Sequence, residues 1–94
     1  MQLVNCMEAA VAAHFSEVAQ RFPGACLCPR CRLDVMALAL NALPPRYVVS
    51  ETGEVYARTE QLGQQYNADI TIALTHAFTQ VMAAPRHQKG EEEG

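Results

Sequence analysis

The chain has 94 residues, half of them hydrophobic, with a formal charge of -3 and no tryptophan. That length fits one domain, read here as residues 1–87 with 88–94 as a disordered acidic tail; folded alone, it removes only about 60–65% of its unfolded surface from water, so a further stabiliser is expected. Without residues 88–94 the chain carries six basic and seven acidic residues, a net of -1, which excludes the clustered basic face of a nucleic-acid binder and a polybasic membrane contact.

Val4, Met7, Val11, Phe15, Val18 and Phe22 are spaced 3, 4, 4, 3 and 4 residues apart, which predicts one amphipathic helix over about residues 2–22. Pro23-Gly24 stops it, because proline clashes with a continuing helix and glycine takes left-handed angles at little cost. A second helix is predicted over about 30–43. Residues 33–43 are apolar except for Asp34 and Asn41, so this helix has no solvent face and is expected to be the central element. Two amphipathic helices of so small a chain cannot cover it on every side, and a homodimer is the simplest remedy.

Pro44-Pro45 ends the second helix. Arg46-Tyr-Val-Val-Ser50 and Glu54-Val-Tyr-Ala-Arg58 then flank Glu51-Thr52-Gly53, which predicts a short β-hairpin over about 46–58, with Gly53 supplying the positive φ of a three-residue turn. Thr59 is an N-cap for a third helix over about 59–84, marked by Leu62, Tyr66, Ile70, Leu74 and Phe78 and stopped by Pro85. The fold class is mainly α: three helices and one hairpin, dimeric. The first twenty residues lack a basic start and a continuous apolar stretch, so neither a signal peptide nor a membrane span is predicted, and the expected location is cytoplasmic.

Thiols stay reduced in that compartment, so Cys26, Cys28 and Cys31 in one six-residue loop favour a metal over disulfides. Zinc takes four ligands in a tetrahedron, and this loop can supply three. Cys31 falls in the first turn of the second helix, where the helix dipole and the flanking Arg30 and Arg32 favour a thiolate. Cys6 is the obvious fourth ligand, but it lies roughly 24 Å from the loop along the first helix and could join only from a second subunit. His14, His76, His87 or a water are the alternatives. No glutamate stands beside a histidine ligand as in a zinc hydrolase, so the metal is read as structural.

At 100° per residue, Arg30, Asp34 and Asn41 fall within about a 40° arc of the second helix. A buried carboxylate without partners costs several kcal/mol, so Asp34 needs a cation, backbone donors or a ligand's N–H groups. One reading is an Arg30–Asp34 pair at i, i+4 with Asn41 capping backbone. The other is a guanine site: Asp34 on paired N–H donors, Arg30 or Arg46 on the O6/N7 edge, and Tyr47 stacking on the flat face.

The same stretch, Cys26-x-Cys28-x-x-Cys31-x-x-Asp34-Val35-x-Ala37-Leu38-Ala39-Leu40-Asn41-x-Leu43-Pro44-Pro45-x-Tyr47-Val48-Val49, resembles the signature of the late competence development protein family ComFB. Asn5, Met7-Glu8, Gly53-Glu54 and Ala84-Pro85-Arg86-His87 extend the likeness over most of the chain. The resemblance implies a cytoplasmic, mainly helical bacterial dimer without enzymatic activity. It implies a cysteine-bound zinc in some members and, in others, a receptor for cyclic dinucleotides such as cyclic di-GMP. The receptor pattern falls here on Arg30, Asp34, Leu43, Pro44, Pro45 and Tyr47, with Arg30 where those receptors carry a lysine and inside the cysteine loop.

Two functions are therefore expected to compete. The first is a dimeric cyclic dinucleotide receptor that signals to an unidentified protein partner, its ligand against Arg30, Asp34, Asn41, Leu43, Pro44, Pro45, Arg46 and Tyr47. The second is a zinc-braced interaction protein whose polar stripe holds the dimer. An enzyme is not expected, because no Ser/His/Asp set, phosphate-cradling glycine loop or catalytic carboxylate pair occurs.

Overall fold

The computed structural model describes residues 1–50 and 54–84, the side chains of 54–57 excepted. In chain order the elements are β1 (Gln2–Asn5), α1 (Cys6–Ala19), α2 (Pro29–Asn41), β2 (Tyr47–Ser50), α3 (Glu54–Gln65) and α4 (Asn67–Ala83). The mainly helical class holds, with four helices among the described residues where three were expected.

The apolar stripe of the first helix is buried at Met7, Val11, Phe15 and Val18, but the helix begins later than its period suggests. Residues 2–5 form a strand instead, pairing antiparallel with β2 in the register Leu3↔Val49 and Asn5↔Tyr47. Asn5 enforces the change. Its Oδ1 accepts the Met7 N–H at 3.1 Å as an N-cap, and also accepts the Arg46 N–H at 2.9 Å, tying the start of α1 to the start of β2. At its other end the Ala25 N–H donates to the Phe22 carbonyl at 2.9 Å around Pro23-Gly24, and Gly24 does this without a left-handed φ.

The hairpin expected over 46–58 is therefore a two-stranded sheet with its second strand drawn from the N-terminus. Residues 54–58, read as a strand, open α3 instead, which places Thr59 inside that helix and not at its N-cap. The expected turn at Glu51-Thr52-Gly53, the stop at Pro85 and the tail at 88–94 lie outside the described residues.

The long third helix is two helices that part at Tyr66, where ψ rises to 22°. The bend lets α3 pack on α1 while α4 packs between α1 and α2. Phe78 of α4 sits at the centre, 1% exposed. Its ring stacks on Phe22 and tilts against Phe15, with centroids 5.1 Å away in both cases.

The second helix is not buried all round within one chain. Cys31, Val35 and Ala39, an i+4 row, face the core with Leu43 beyond them. The opposite side is open, with Leu33 at 68% exposure.

Candidate metal centre and the outer face of the second helix

The cysteine loop is built around the start of α2. Cys28 is the N-cap in extended conformation and Pro29 takes the first helical position, where its fixed φ suits the helix and its missing N–H costs nothing. The Cys31 N–H donates to Cys28 Sγ at 3.4 Å. The Sγ atoms of Cys26, Cys28 and Cys31 all lie within 4.8 Å of one another. No disulfide joins any of the four cysteines.

A tetrahedral zinc with Zn–S bonds of about 2.3 Å sets its sulfurs roughly 3.8 Å apart, so these three thiols fit one ion after closing by about 1 Å. Their proton chemistry differs from the sequence expectation. Burial pushes the Cys31 thiol from 9.0 up to about 12, and hydrogen bonds with Cys28 and Cys26 add to the rise. In the metal-free chain desolvation thus outweighs the helix dipole and the arginines. A bound dication reverses that order, because a coordinating thiol is deprotonated outright.

The arginines are occupied elsewhere. Arg32 lies over the Phe15 ring with its guanidinium carbon 5.0 Å from the centroid, and Arg30 Nε stands 3.7 Å from Asp34 Oδ2, the i, i+4 pair anticipated from spacing.

No described side chain completes the tetrahedron. Cys6 donates its N–H to the Arg46 carbonyl at 2.7 Å, at the far end of α2 from the thiols. At 1% exposure it is sealed in its own core, which removes it as a ligand for a second subunit as well. His14 is held on the Ala10 carbonyl and Asn67 Oδ1, at 2.9 and 3.0 Å. His76 is exposed on α4 and does not join the thiol group, and His87 lies outside the described residues.

The remaining candidate residues divide into separate places. Asp34 and Asn41 line one groove of about 310 Å³ with Leu38, Gln80 and Val81, between α2 and the end of α4. Leu43 is buried in the core, whereas Pro44 and Pro45 are exposed. Arg46 and Tyr47, beyond the end of α2, take no part in that groove. Tyr47 is 60% exposed and pairs with Asn5 in the sheet, sharing a face with Leu3 and Val49 by the period of two, while Val48 turns to the core. The Arg46 guanidinium stacks on the Tyr66 ring at 5.3 Å and donates to its hydroxyl.

Asn5 was read from sequence only as part of the family likeness and not as a helix cap, although its spacing to Glu8 follows the N-cap and third-position pattern that opens a helix. Tyr66 and its cation partner carried no local signal at all, since 20 residues separate them.

Among the described residues, four helices packed on a short two-stranded sheet, with a thiol triad at one helix start, define a small helical protein of the thiol-cluster kind. The chain belongs to the late competence development protein ComFB family, whose model matches residues 4–85. It is similar to the competence protein ComFB of Bacillus subtilis, 29% identical over 83 residues that span 88% of this chain and 85% of the relative. The solved structure of the late competence protein ComFB from Bacillus subtilis superposes with a TM-score of 0.75 at 28% identity, covering 89% of this chain and 94% of the other. No described helix is long and apolar enough to cross a membrane.

Proposed function

We propose that this protein is a non-enzymatic, metal-clipped interaction protein of the competence type that works as a homodimer in the cytoplasm. The observation that carries the reading is the convergence of Cys26, Cys28 and Cys31 within 4.8 Å. Zinc held there would fix the loop to the start of α2, with the fourth position going to water or to a side chain outside the described residues. Bound zinc supplies loop closure and charge neutralisation for the thiolates. The chain's own residues do the rest: Arg32 braces α2 on Phe15, and Asp34 anchors Arg30.

The dimer draws support from the open side of α2. Leu33 is exposed there, and a groove of about 540 Å³ lined by Leu3, Val4, Ala9, Ala12 and Met36 together with Gln2, Asn5 and Glu8 runs beside it along β1 and α1. A monomer of this size does not ordinarily leave so many large apolar side chains together in water. Elemental analysis of the purified protein tests the metal, with one zinc per chain and a lower melting temperature after chelation expected. Light scattering tests the dimer: Leu33→Asp is expected to give a folded monomer, and a wild-type monomer would overturn the assembly.

A cyclic dinucleotide, with cyclic di-GMP first, is the second reading. The groove shared by Asp34, Asn41 and Gln80 favours it, because a carboxylate and two amides there match the N–H and carbonyl edge of a guanine. Arg30 at the rim would reach a phosphate. Tyr47 and Arg46 belong to a different part of this surface, so the contacts would come from α2 and α4. Isothermal titration of cyclic di-GMP decides it: saturable heat that Asp34→Ala removes supports the receptor, and no heat with the folded dimer rules it out.

A further inference from the structure

Beyond the end of α2 that is remote from the thiols lies a pocket of about 170 Å³, lined by Arg46, Arg58, Gln61 and Gln65 over a floor of Cys6, Val48 and Leu62. Every polar side chain in that set is a hydrogen-bond donor, two of them carry a fixed positive charge, and no carboxylate occurs among the described residues that line it. Arg58, Gln61 and Gln65 stand at i, i+3 and i+7 on α3 and so share one face of that helix.

Arg46 comes to the pocket already fixed. Its guanidinium rests on the Tyr66 ring at 5.3 Å. One nitrogen donates to the Tyr66 hydroxyl and another to the Pro45 carbonyl at 3.2 Å. A guanidinium has five N–H donors, so others remain to face a ligand, and the rotamer entropy that normally opposes ordering an arginine is already spent.

The volume falls below the roughly 300–1,000 Å³ of ordinary small-molecule sites. It suits one tetrahedral oxyanion rather than a whole nucleotide.

We infer that this pocket binds a single phosphoryl-type oxyanion, clamped between the guanidinium groups of Arg46 and Arg58 with Gln61 and Gln65 as further donors. The anion would be either free phosphate or the terminal phosphate of a phosphomonoester. Binding there joins α3 to the β2 start, where Asn5 already ties β1, α1 and Arg46 together. The site needs neither the metal nor the dinucleotide reading, and a null titration with cyclic di-GMP leaves it standing.

The test is a nuclear magnetic resonance titration of the full chain with inorganic phosphate and, in a second arm, adenosine monophosphate, each against chloride at matched ionic strength. Saturable amide shifts confined to Arg46, Arg58, Gln61 and Gln65 are expected. Arg58→Gln should weaken binding at least about tenfold, as loss of a charge-assisted hydrogen bond requires, at an unchanged melting temperature. Arg30→Gln should titrate like wild type. Tighter binding of the monophosphate identifies an esterified ligand, and equal or weaker binding identifies the free anion. Shifts that chloride reproduces, or an Arg58→Gln protein that binds phosphate as wild type does, would overturn the site.

Discussion

Replacing Asn5 by alanine isolates the residue that converts a simple amphipathic helix into a strand followed by a capped helix. The substitution removes two hydrogen bonds made by one oxygen, from Met7 N–H at 3.1 Å and from Arg46 N–H at 2.9 Å. Loss of an N-cap costs about 1 kcal/mol, and the Arg46 bond, made at an exposed site where water can replace it, adds roughly 1 kcal/mol at most. A total of about 2 kcal/mol lowers the melting temperature of a chain this size by about 8–16 °C. Asn5→Asp keeps the accepting oxygen and sets a negative charge at the positive end of α1, so it should melt within a few degrees of wild type. Thermal unfolding followed by circular dichroism separates the two variants. An Asn5→Ala protein that melts with wild type, or an Asn5→Asp protein that melts with Asn5→Ala, refutes the assignment of both bonds to this side chain.

Phe78→Ala should cost about 3–5 kcal/mol, because it leaves Phe15 and Phe22 without their common partner, and urea unfolding measures it. Gly63→Ala should fail to give the roughly 1 kcal/mol that alanine normally adds in a helix, since its Cβ would lie 3.2 Å from His14 Cε1. Hydrogen bonds to Ala10 and Asn67 hold the His14 ring and oppose the shift this contact requires. In a His14→Ala background the same substitution should stabilise, and additive melting temperatures would argue against the contact. For metal-stripped protein the Cys31 thiol is raised from 9.0 to about 12, so the folded state holds its proton after the unfolded state has lost it. Stability from this group is therefore complete below pH 9.0 and falls as pH rises toward about 12, an effect that Cys31→Ala should abolish in pH-dependent denaturation.

The hydrophobic periods of the first and last helices were readable, because Met7, Val11, Phe15, Ile70, Leu74 and Phe78 all reach the core and period follows directly from burial on one face. What failed was local sequence whose structure is decided at a distance. Val4 keeps phase with Met7 and so reads as helix, but β2 lies more than forty residues away and recruits residues 2–5 into a sheet. Val55 and Tyr56 carry strand propensity, a weak preference that tertiary context overrides, and they enter α3. The bend at Tyr66 has no proline or glycine at its apex; it coincides with the contact to Arg46.

The candidate site was legible in part for the same reason. Spacing alone brought three cysteines together and paired Arg30 with Asp34, since both depend on neighbours within a helical turn or a tight loop. Spacing could not tell that Tyr47 and Asp34 occupy separate surfaces. An apolar second helix was equally visible, but which side the chain covers by itself depends on where α4 lands after the bend.

Cobalt substitution tests the thiol cluster most directly. Chelated protein reloaded with Co²⁺ should bind one ion per chain and show intense sulfur-to-metal charge transfer with tetrahedral ligand-field bands, and the charge-transfer intensity should fall by about one third in Cys26→Ser, Cys28→Ser and Cys31→Ser alike. A spectrum without charge transfer, or one that all three single substitutions leave unchanged, would contradict a metal held by this loop.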